Sequence, residues 1–206
     1  MSNHSRRLLL IGALMGSLAL AGCNKGGTAG PAEGDMSLGD PKAKVKVVEY
    51  ASASCSHCAS FNNDVMPAFK AKYIDTGKVH YTLKEFLTPP TPVAAAGFLI
   101  ARCAGKEKYF SVIDAVFHSQ NEMFSSGDYK GVLLRIGRSV GMNDDQTMAC
   151  IQDDKALKAL NDRVEKALNV QKVAATPTFY IGDKKLEGEQ PLSAFDAVLQ
   201  PLLAAK

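Results

Sequence analysis

The sequence predicts an α/β protein in which a block of helices interrupts a core of strands and helices. Two apolar, β-branched runs flank an amphipathic stretch, a long helical region follows, and a hairpin signal with a last amphipathic stretch ends the chain. Because a βαβ unit precedes the helical block and a ββα unit follows it, we interpret the block as an insertion. The body, from about residue 45 to 206, has the length of one domain with a buried core.

The first half is the βαβ unit. Residues 45–51 carry apolar side chains on both faces, which is typical of a buried strand. Residues 57–74 are predicted to be helical, with Pro67 inside the helix as a kink. One apolar face recurs there at i, i+4 spacing: Phe61, Val65, Phe69 and Tyr73. Residues 79–86 are the next predicted strand.

From residue 93 to about residue 168 the apolar residues recur at helical spacing. Five helices are predicted in this block: 93–104, a second around 109–117, 129–140, a short one around Met148 and a long one around 157–168. Residues 178–182 then form a predicted strand, and Gly182-Asp183 is a hairpin turn signal that leads into an edge strand over 184–187. A helix over 192–203 completes the chain.

The most informative motif is Cys55-Ser56-His57-Cys58, which follows the first strand and opens the first helix. This position places one thiol at a helix N-terminus, where free backbone N–H groups and the helix dipole stabilise a thiolate. The thiolate is the form that attacks or leaves a disulfide, and two cysteines at this spacing can close on each other. The motif therefore predicts thiol–disulfide exchange.

The N-terminus has the pattern of a targeting segment. Arg6 and Arg7 precede an apolar run over residues 8–19, which is too short for a membrane span and typical of a signal peptide. The run Leu-Ala-Gly-Cys at 20–23 resembles the bacterial lipobox, which implies cleavage before Cys23 and lipidation of its sulfur. The alternative is an ordinary signal peptide that happens to contain a cysteine.

These patterns predict a lipoprotein signal peptide over 1–22 and a flexible tether over 23–40. The tether region is rich in Gly, Ala and Pro, and a flexible linker of about this length spans roughly 25 Å. The folded domain is predicted over 41–206, with its helical insertion at about 92–170. The domain would then lie close to a membrane without being embedded in it.

The net charge argues against a nucleic-acid-binding protein. The whole chain carries a formal charge of +3, and the predicted signal peptide holds two arginines and no acid, which leaves +1 after its removal. No second apolar stretch has the length of a membrane span.

Two cysteines remain, Cys103 and Cys150, each in a predicted helix. In an exported protein we expect them to form a disulfide, although two buried free cysteines are the alternative. The chain-entropy model gives such a bridge roughly 4 kcal/mol. Zinc is not expected, because there is a single Cys-x-x-Cys and the histidines lack metal-ligand spacing.

Three segments together resemble a known family: the strand ending in Glu49-Tyr50, the Cys55–Cys58 motif, and the run Thr-Pro-Thr-Phe at 176–179. They look like a DsbA-like thiol–disulfide oxidoreductase, here in a lipoprotein form. The resemblance implies a thioredoxin fold with a helical insertion between the βαβ and ββα halves. It covers about residues 40–203.

The family implies a role for each matching position. Cys55 matches the exposed nucleophile and Cys58 the buried resolving thiol. Pro177 matches a cis-proline that faces the redox-active disulfide, so that the backbone of Thr176 can pair with an extended substrate. An ordinary proline at the start of a strand is the alternative for Pro177.

Three charged or titratable residues complete the expected site. The family places a buried acid and lysine behind the resolving cysteine, which implies that Glu49 and Lys84 exchange a proton with Cys58. Both side chains reaching solvent is the alternative. His57, between the cysteines, is expected to favour the thiolate of Cys55 through its imidazole, unless it simply faces solvent.

Two departures from the family pattern bear on the direction of exchange. Ser56 stands where a proline is often found, and Ala175 where the family often has glycine. Thr176 also occurs in isomerase-like relatives.

The sequence thus favours a periplasmic, lipid-anchored dithiol oxidase, monomeric and without a cofactor or metal. Its expected partners are reduced or unfolded exported proteins and a membrane quinone-linked reoxidase. The alternatives are an isomerase or reductase on the same scaffold, and a non-enzymatic anchored protein that binds extended peptides.

Overall fold

The computed structural model describes residues 34–205. At its centre is a five-stranded mixed sheet with the order β1-β3-β2-β4-β5. The strands are β1 Met36–Leu38, β2 Val45–Ala51, β3 Val79–Glu85, β4 Thr178–Ile181 and β5 Lys184–Glu187. Strands β2 and β3 are parallel, and the other neighbouring pairs are antiparallel. The central strand β2 is therefore the one that leads into the Cys-x-x-Cys motif.

The helices of the described residues divide between the core and the insertion. They are α1 Ser56–Ser60, α2 Met66–Phe69, α3 Thr91–Cys103, α4 Lys106–Ser126, α5 Tyr129–Ser139, α6 Asp144–Ile151, α7 Asp154–Asn169 and α8 Leu192–Ala204. Helices α3 to α7 lie between β3 and β4 in sequence, so the helical block is an insertion between the βαβ and ββα halves. Between Gly34 and Ala205 no helix is both long enough and apolar enough to cross a bilayer.

The first helical stretch is continuous but irregular. Helices α1 and α2 are each followed by a π-helical turn, Phe61–Val65 and Lys70–Ile74. Pro67 occupies the second position of α2, directly after the first of these turns. Proline is tolerated there because its missing N–H falls in the first turn of a helix. The expected disturbance at Pro67 is thus taken up by a wider helical turn.

An aromatic cluster fixes this helical stretch and α8 to one face of the sheet. Phe179 of β4 packs edge-on against Phe61 and Phe195, with ring centroids 4.7 and 4.9 Å apart, and Phe69 packs against Phe195 at 5.2 Å. All four side chains are almost completely buried. Aromatic pairs in this geometry contribute about 0.5–1.5 kcal/mol each beyond the area they bury. The cluster therefore holds the helix that begins at the motif in a fixed orientation.

The sheet begins earlier in the chain than the sequence predicts. Residues 36–38 form β1, which pairs antiparallel with β3, so this part of the predicted tether belongs to the folded body. A hydroxyl–hydroxyl bond of 2.9 Å between Ser37 and Thr82 reinforces the pairing. Three residues are too few to show an alternating pattern, which is why the strand is not recognisable in the sequence.

The N-terminal predictions fall outside the described residues. The signal peptide, the lipidated Cys23 and most of the tether precede Gly34. They stay predictions.

Candidate active site

The Cys-x-x-Cys motif lies at the junction between β2 and α1. Cys55 is the N-cap residue of α1, and its backbone N–H bonds to the carbonyl of Ser52 at 3.0 Å. Cys55 is partly exposed and Cys58, one turn later, is completely buried. The two sulfurs are unbonded thiols in this structure. Only the first of them is thus open to another protein.

The surroundings of Cys55 favour its thiolate. Its pKa is lowered to about 5, chiefly by a hydrogen bond from the Cys58 thiol, against the opposing effect of burial. The side chain of Thr176 and the backbone N–H groups of His57 and Cys58 lower it further. Burial raises the pKa of Cys58 well above its usual range, and the nearby charges of Cys55 and Glu49 add to this. One sulfur is therefore ionised at neutral pH while its neighbour keeps its proton.

The Thr176–Pro177 peptide bond is cis, and it brings Thr176 against the nucleophile. The Cys55 sulfur lies 3.3 Å from the Thr176 carbonyl oxygen, to which it donates when it is protonated. The Thr176 hydroxyl is buried and has no other hydrogen-bond partner among the described residues, so it is free to donate to the thiolate. The backbone N–H of Gly188 bonds to the Pro177 carbonyl at 2.8 Å, and this holds the turn in place.

Glu49 is a buried acid behind the cysteine pair. Its residue is 2% exposed and its carboxylate accepts a hydrogen bond from the Tyr81 hydroxyl. Burial raises its pKa to about 8, although the bond from Tyr81 acts in the opposite direction. Glu49 is therefore protonated at neutral pH and close enough to Cys58 to raise that thiol's pKa.

The prediction that Glu49 and Lys84 form a pair behind Cys58 is wrong. In the parallel register of β2 and β3, Glu49 lies beside Leu83, and Lys84 lies beside Tyr50 on the other face of the sheet. The Lys84 ammonium instead contacts the Asp35 carboxylate at 3.0 Å. Lys84 is one residue further along β3 than Leu83, the partner of Glu49, so its side chain lies on the face of the sheet away from the cysteines.

The imidazole of His57 is not placed as the sequence predicts. Its Nδ1 lies 3.3 Å from Oε2 of Glu189, and its side chain is 69% exposed. The part of His57 that stabilises the Cys55 thiolate is its backbone N–H. The backbone amides of His57 and Cys58, at the start of α1, thus stabilise the thiolate in place of the expected imidazole.

Sequence reasoning missed the polar groups that hold the active-site loop. Gln120 of α4 is buried and donates to the carbonyls of Ala53 and Cys55 at 2.8 and 3.3 Å. Behind the loop, the Thr88 N–H and hydroxyl both bond to the Ser52 hydroxyl at 3.0 and 2.9 Å. These residues carry no motif. Gln120 reaches the site through the packing of the insertion on the core, and Thr88 reaches it because parallel pairing places the end of β3 beside the end of β2.

The second cysteine pair lies within the insertion. Cys103 and Cys150 form a disulfide, with their Cα atoms 6.0 Å apart, which joins the ends of α3 and α6. The described residues contain no group of three or more His, Cys, Asp or Glu that could hold a metal ion.

Comparison with known proteins places these features in a family. A family model described as Thioredoxin matches residues 31–201. A Rickettsia bellii protein whose name proposes a protein-disulfide oxidoreductase is 32% identical over 156 residues, which are 75% of this chain and 60% of that protein. A similar Rickettsia typhi protein is 32% identical over 74% of this chain and 56% of its own length. The chain therefore spans less than two thirds of these curated relatives.

Solved structures share this fold over most of their length. The crystal structure of α-DsbA1 from Wolbachia pipientis is 31% identical, with a TM-score of 0.78 over 85% of this chain and 94% of that one. BdbD from Bacillus subtilis shares the fold, with a TM-score of 0.73 at 19% identity over 85% of this chain and 96% of that one. The chain belongs to the DsbA-like family of thioredoxin-fold disulfide oxidoreductases.

Proposed function

We propose that this protein is a periplasmic dithiol oxidase that donates a Cys55–Cys58 disulfide to exported proteins. One observation carries the proposal: a partly exposed thiol with a pKa of about 5 lies against a cis-proline turn and one helical turn from a buried thiol of raised pKa. This pairing of an accessible thiolate with a protonated neighbour is what thiol–disulfide exchange requires.

The proposed reaction moves two electrons from substrate to enzyme, and Cys58 takes up one proton. A substrate thiolate attacks the Cys55 sulfur of the oxidised enzyme, the Cys55–Cys58 bond breaks, and Cys58 leaves as a thiolate that takes up a proton. A second substrate thiolate then attacks the substrate sulfur of this mixed disulfide and displaces the Cys55 thiolate. The substrate gains a disulfide, and the enzyme is left reduced, with Cys58 as a thiol and Cys55 as a thiolate.

Glu49 is proposed to supply the proton that Cys58 needs. With a pKa of about 8 it holds a proton at neutral pH, and it lies close enough to Cys58 for its ionised form to raise the pKa of that thiol. Proton transfer would discharge a buried thiolate, which is costly to leave ionised in an apolar site. Lys84 has no part in this step, because it lies on the other face of the sheet.

The low pKa of Cys55 favours transfer of the enzyme's disulfide to a substrate over re-formation of the Cys55–Cys58 disulfide. The pKa of Cys55 is about 5, about two units below pH 7. Ionisation at pH 7 therefore stabilises the reduced enzyme by at most about 2.7 kcal/mol relative to an enzyme with an ordinary thiol. This free energy corresponds to a rise of roughly 60 mV in the reduction potential of the Cys55–Cys58 pair. Because Cys55 is partly exposed and solvent screens its interactions, this rise is an upper bound. The reduced enzyme is thus stabilised and the disulfide is a better oxidant.

Exported, incompletely folded chains are the proposed substrates. An extended segment would pair with the backbone at Thr176, as in recognition by addition of a β-strand. The lipobox-like sequence before Cys23 supports an anchor in a bacterial membrane, and proximity to the membrane supports reoxidation by a quinone-linked membrane protein.

The test is to mix the oxidised protein with a reduced, unfolded polypeptide and to count the thiols that remain. We expect stoichiometric loss of substrate thiols with the wild type and none with Cys55→Ala. Thiol loss that persists in Cys55→Ala would contradict the proposal, and an inert wild-type disulfide would favour a protein that only binds peptides.

The reduction potential of the Cys55–Cys58 pair separates an oxidase from a reductase or isomerase. Equilibration against glutathione should give a value more oxidising than about −180 mV, whereas reducing thioredoxins lie at about −270 mV. A value near the second figure would rule out the oxidase.

A further inference from the structure

A cavity lined by charged residues lies away from the cysteines, where the end of β3 meets α3, α7 and the N-terminal strand. Its volume is about 120 Å³, roughly eight times the space that one water molecule needs. Tyr50 and Lys84 contribute from the central strands, and Arg163 and Lys166 from α7. The thiol chemistry proposed above uses none of these residues.

The lining of this cavity is positively charged. Two acids, Asp35 and Glu85, also reach it, so the formal excess is two positive charges. The cations are Lys84, Arg102, Arg163 and Lys166. Because the cavity is partly enclosed by protein, water screens this excess less than it would on an open surface.

Glu85 orients two of these cations and does not neutralise both. Its carboxylate is completely buried and receives the Nε–H groups of Arg102 and Arg163 at 2.5 and 2.7 Å. The Tyr109 hydroxyl donates to it as well, at 3.1 Å. One carboxylate therefore holds two guanidinium groups at the cavity wall, an arrangement that leaves a charge to be balanced.

Two buried donors at this wall have no acceptor among residues 34–205. The Tyr50 hydroxyl belongs to a residue that is 2% exposed, and it makes no hydrogen bond. Nη2 of Arg163 lies 2.6 Å from a Glu85 oxygen, but its N–H groups do not point at that oxygen, so it too is unsatisfied. Buried donors without acceptors are rare in folded proteins, and a bound group that accepts hydrogen bonds would satisfy both.

We propose that this cavity binds a small oxyanion, a phosphate or a group of similar charge and size. Such a group accepts hydrogen bonds on every oxygen, which suits the hydroxyl of Tyr50 and the guanidinium of Arg163. The negative charge of the oxyanion also balances the excess positive charge of the cavity lining. The exposed Lys166, at the rim, contributes to that excess. A cation would meet the wrong charge, and an apolar ligand would leave both donors unsatisfied.

The position of the cavity allows the bound phosphate group to come from either of two sources, a soluble ion or a lipid headgroup. Arg102 donates through Nη1 to the Gly34 carbonyl at 3.1 Å, so the described chain begins at the rim. A soluble phosphate can enter there, and so can the phosphate headgroup of a lipid if the preceding segment tethers the domain to a membrane. The site faces away from Glu49, which lies on the opposite face of β2, so this inference does not depend on the proposed redox function.

Calorimetric titration of the full chain with inorganic phosphate, at constant ionic strength in chloride, tests the proposal. We expect saturable binding of one phosphate per chain. Tyr50→Phe removes one donor and keeps the ring, and it should weaken binding about tenfold, as expected for a hydrogen bond to a charged group. Lys166→Gln should weaken it about threefold, since a partly screened charge contributes less.

Lys130→Gln is the matched control, because it removes the same charge from α5, outside the cavity; it should leave the affinity unchanged. Thermal unfolding of each variant confirms that it is folded. Vesicles containing phosphatidylglycerol would compete with phosphate if the group is a headgroup, and would not compete if it is a soluble ion; either result supports the site. Absence of saturable phosphate binding, or equal affinities for Tyr50→Phe and wild type, would overturn it.

Discussion

The two cysteine pairs of this protein have similar burial and opposite positions on their helices. In each pair one residue is accessible and the other is buried: Cys55 with Cys58, and Cys103 with Cys150. Cys55 precedes the first turn of α1, whereas Cys103 ends α3 and Cys150 lies in the last turn of α6. A thiolate is stabilised by the free N–H groups of a helix start and destabilised by the carbonyls of a helix end.

This difference shows why the same residue type serves exchange in one place and stability in the other. Two backbone N–H groups and the Cys58 thiol point at the sulfur of Cys55. The bridge between Cys103 and Cys150 lies at two helix ends that offer a thiolate nothing comparable. We therefore expect the first pair to be the better oxidant and the second to resist reduction.

The largest expected effect comes from removing the resolving cysteine. Cys58→Ala should stop turnover, because it cannot form the Cys55–Cys58 disulfide. Mixed with a polypeptide that already contains a disulfide, its Cys55 thiolate should attack that bond and release one cysteine as a thiolate, and the mixed disulfide should accumulate because no Cys58 thiol remains to displace the polypeptide from Cys55. The measurement is the yield of substrate adduct on a non-reducing gel. Cys150→Ala is the matched control in the other pair; an adduct of equal yield through Cys103 would contradict the comparison.

Loss of the second pair should affect stability. The Cys103→Ala/Cys150→Ala variant should lose up to roughly 4 kcal/mol of unfolding free energy, as the chain-entropy model gives for a separation of 47 residues. Denaturant titration measures this, and the rate of disulfide transfer should stay within about twofold, since α1 is untouched. A large loss of transfer rate in a folded variant would show that the bridge shapes the active site.

Glu49 should make the stability of the oxidised protein depend on pH. Its pKa is about 8 in the folded dithiol protein, against an ordinary value of 4.5, and burial is the largest cause. Burial also keeps this pKa raised in the oxidised protein, so above the ordinary value the folded state holds a proton that the unfolded state has lost. Stability must then fall as pH rises above that value, by at most about 1.4 kcal/mol per pH unit. Glu49→Gln should abolish that slope in denaturant titrations from pH 5 to 8.

The oxidised form is required for this measurement. In the dithiol form Cys55, with its lowered pKa, gives a slope of opposite sign over an overlapping range and hides the effect. Glu107→Gln, at an exposed position of α4, is the control and should keep the wild-type slope. An unchanged slope in Glu49→Gln would show that this carboxyl is ionised in the folded protein.

The smallest expected effect is that of the hydroxyl beside Cys55. Thr176→Val should raise the Cys55 pKa by about one unit, because a hydrogen bond to a charged sulfur is lost. The absorbance of the thiolate as a function of pH measures this. Thr147→Val removes a buried hydroxyl near Cys150 and should leave the Cys55 pKa unchanged. Equal titrations of the two variants would remove Thr176 from the account.

Much of the fold is predictable from the sequence because strong periodicity and turn residues mark it. Strand β2 and the edge strand β5 have the predicted bounds, and the five inserted helices lie where the apolar spacing places them. Strand β1 could not be predicted, since it is three residues long and depends on pairing with β3. The π-helical turns around Pro67 also depend on packing rather than on local preference.

The candidate site is predictable only where a local motif marks it. The Cys-x-x-Cys motif and the Thr176–Pro177 bond have recognisable sequences, whereas the supporting Gln120 arrives from a helix more than sixty residues away. The error over Lys84 has the same origin: which face of the sheet a side chain occupies follows from the strand register, and register is a tertiary property.

The rate of alkylation of Cys55 by iodoacetamide, measured from pH 3 to 10 on the reduced protein, tests the central claim most directly. Only the thiolate reacts, so the pH of half-maximal rate is the pKa of this sulfur. The structure predicts a midpoint of about 5, with Cys58 unreactive throughout because it is buried and protonated. A midpoint near 9, the value of an unperturbed thiol, would contradict the account.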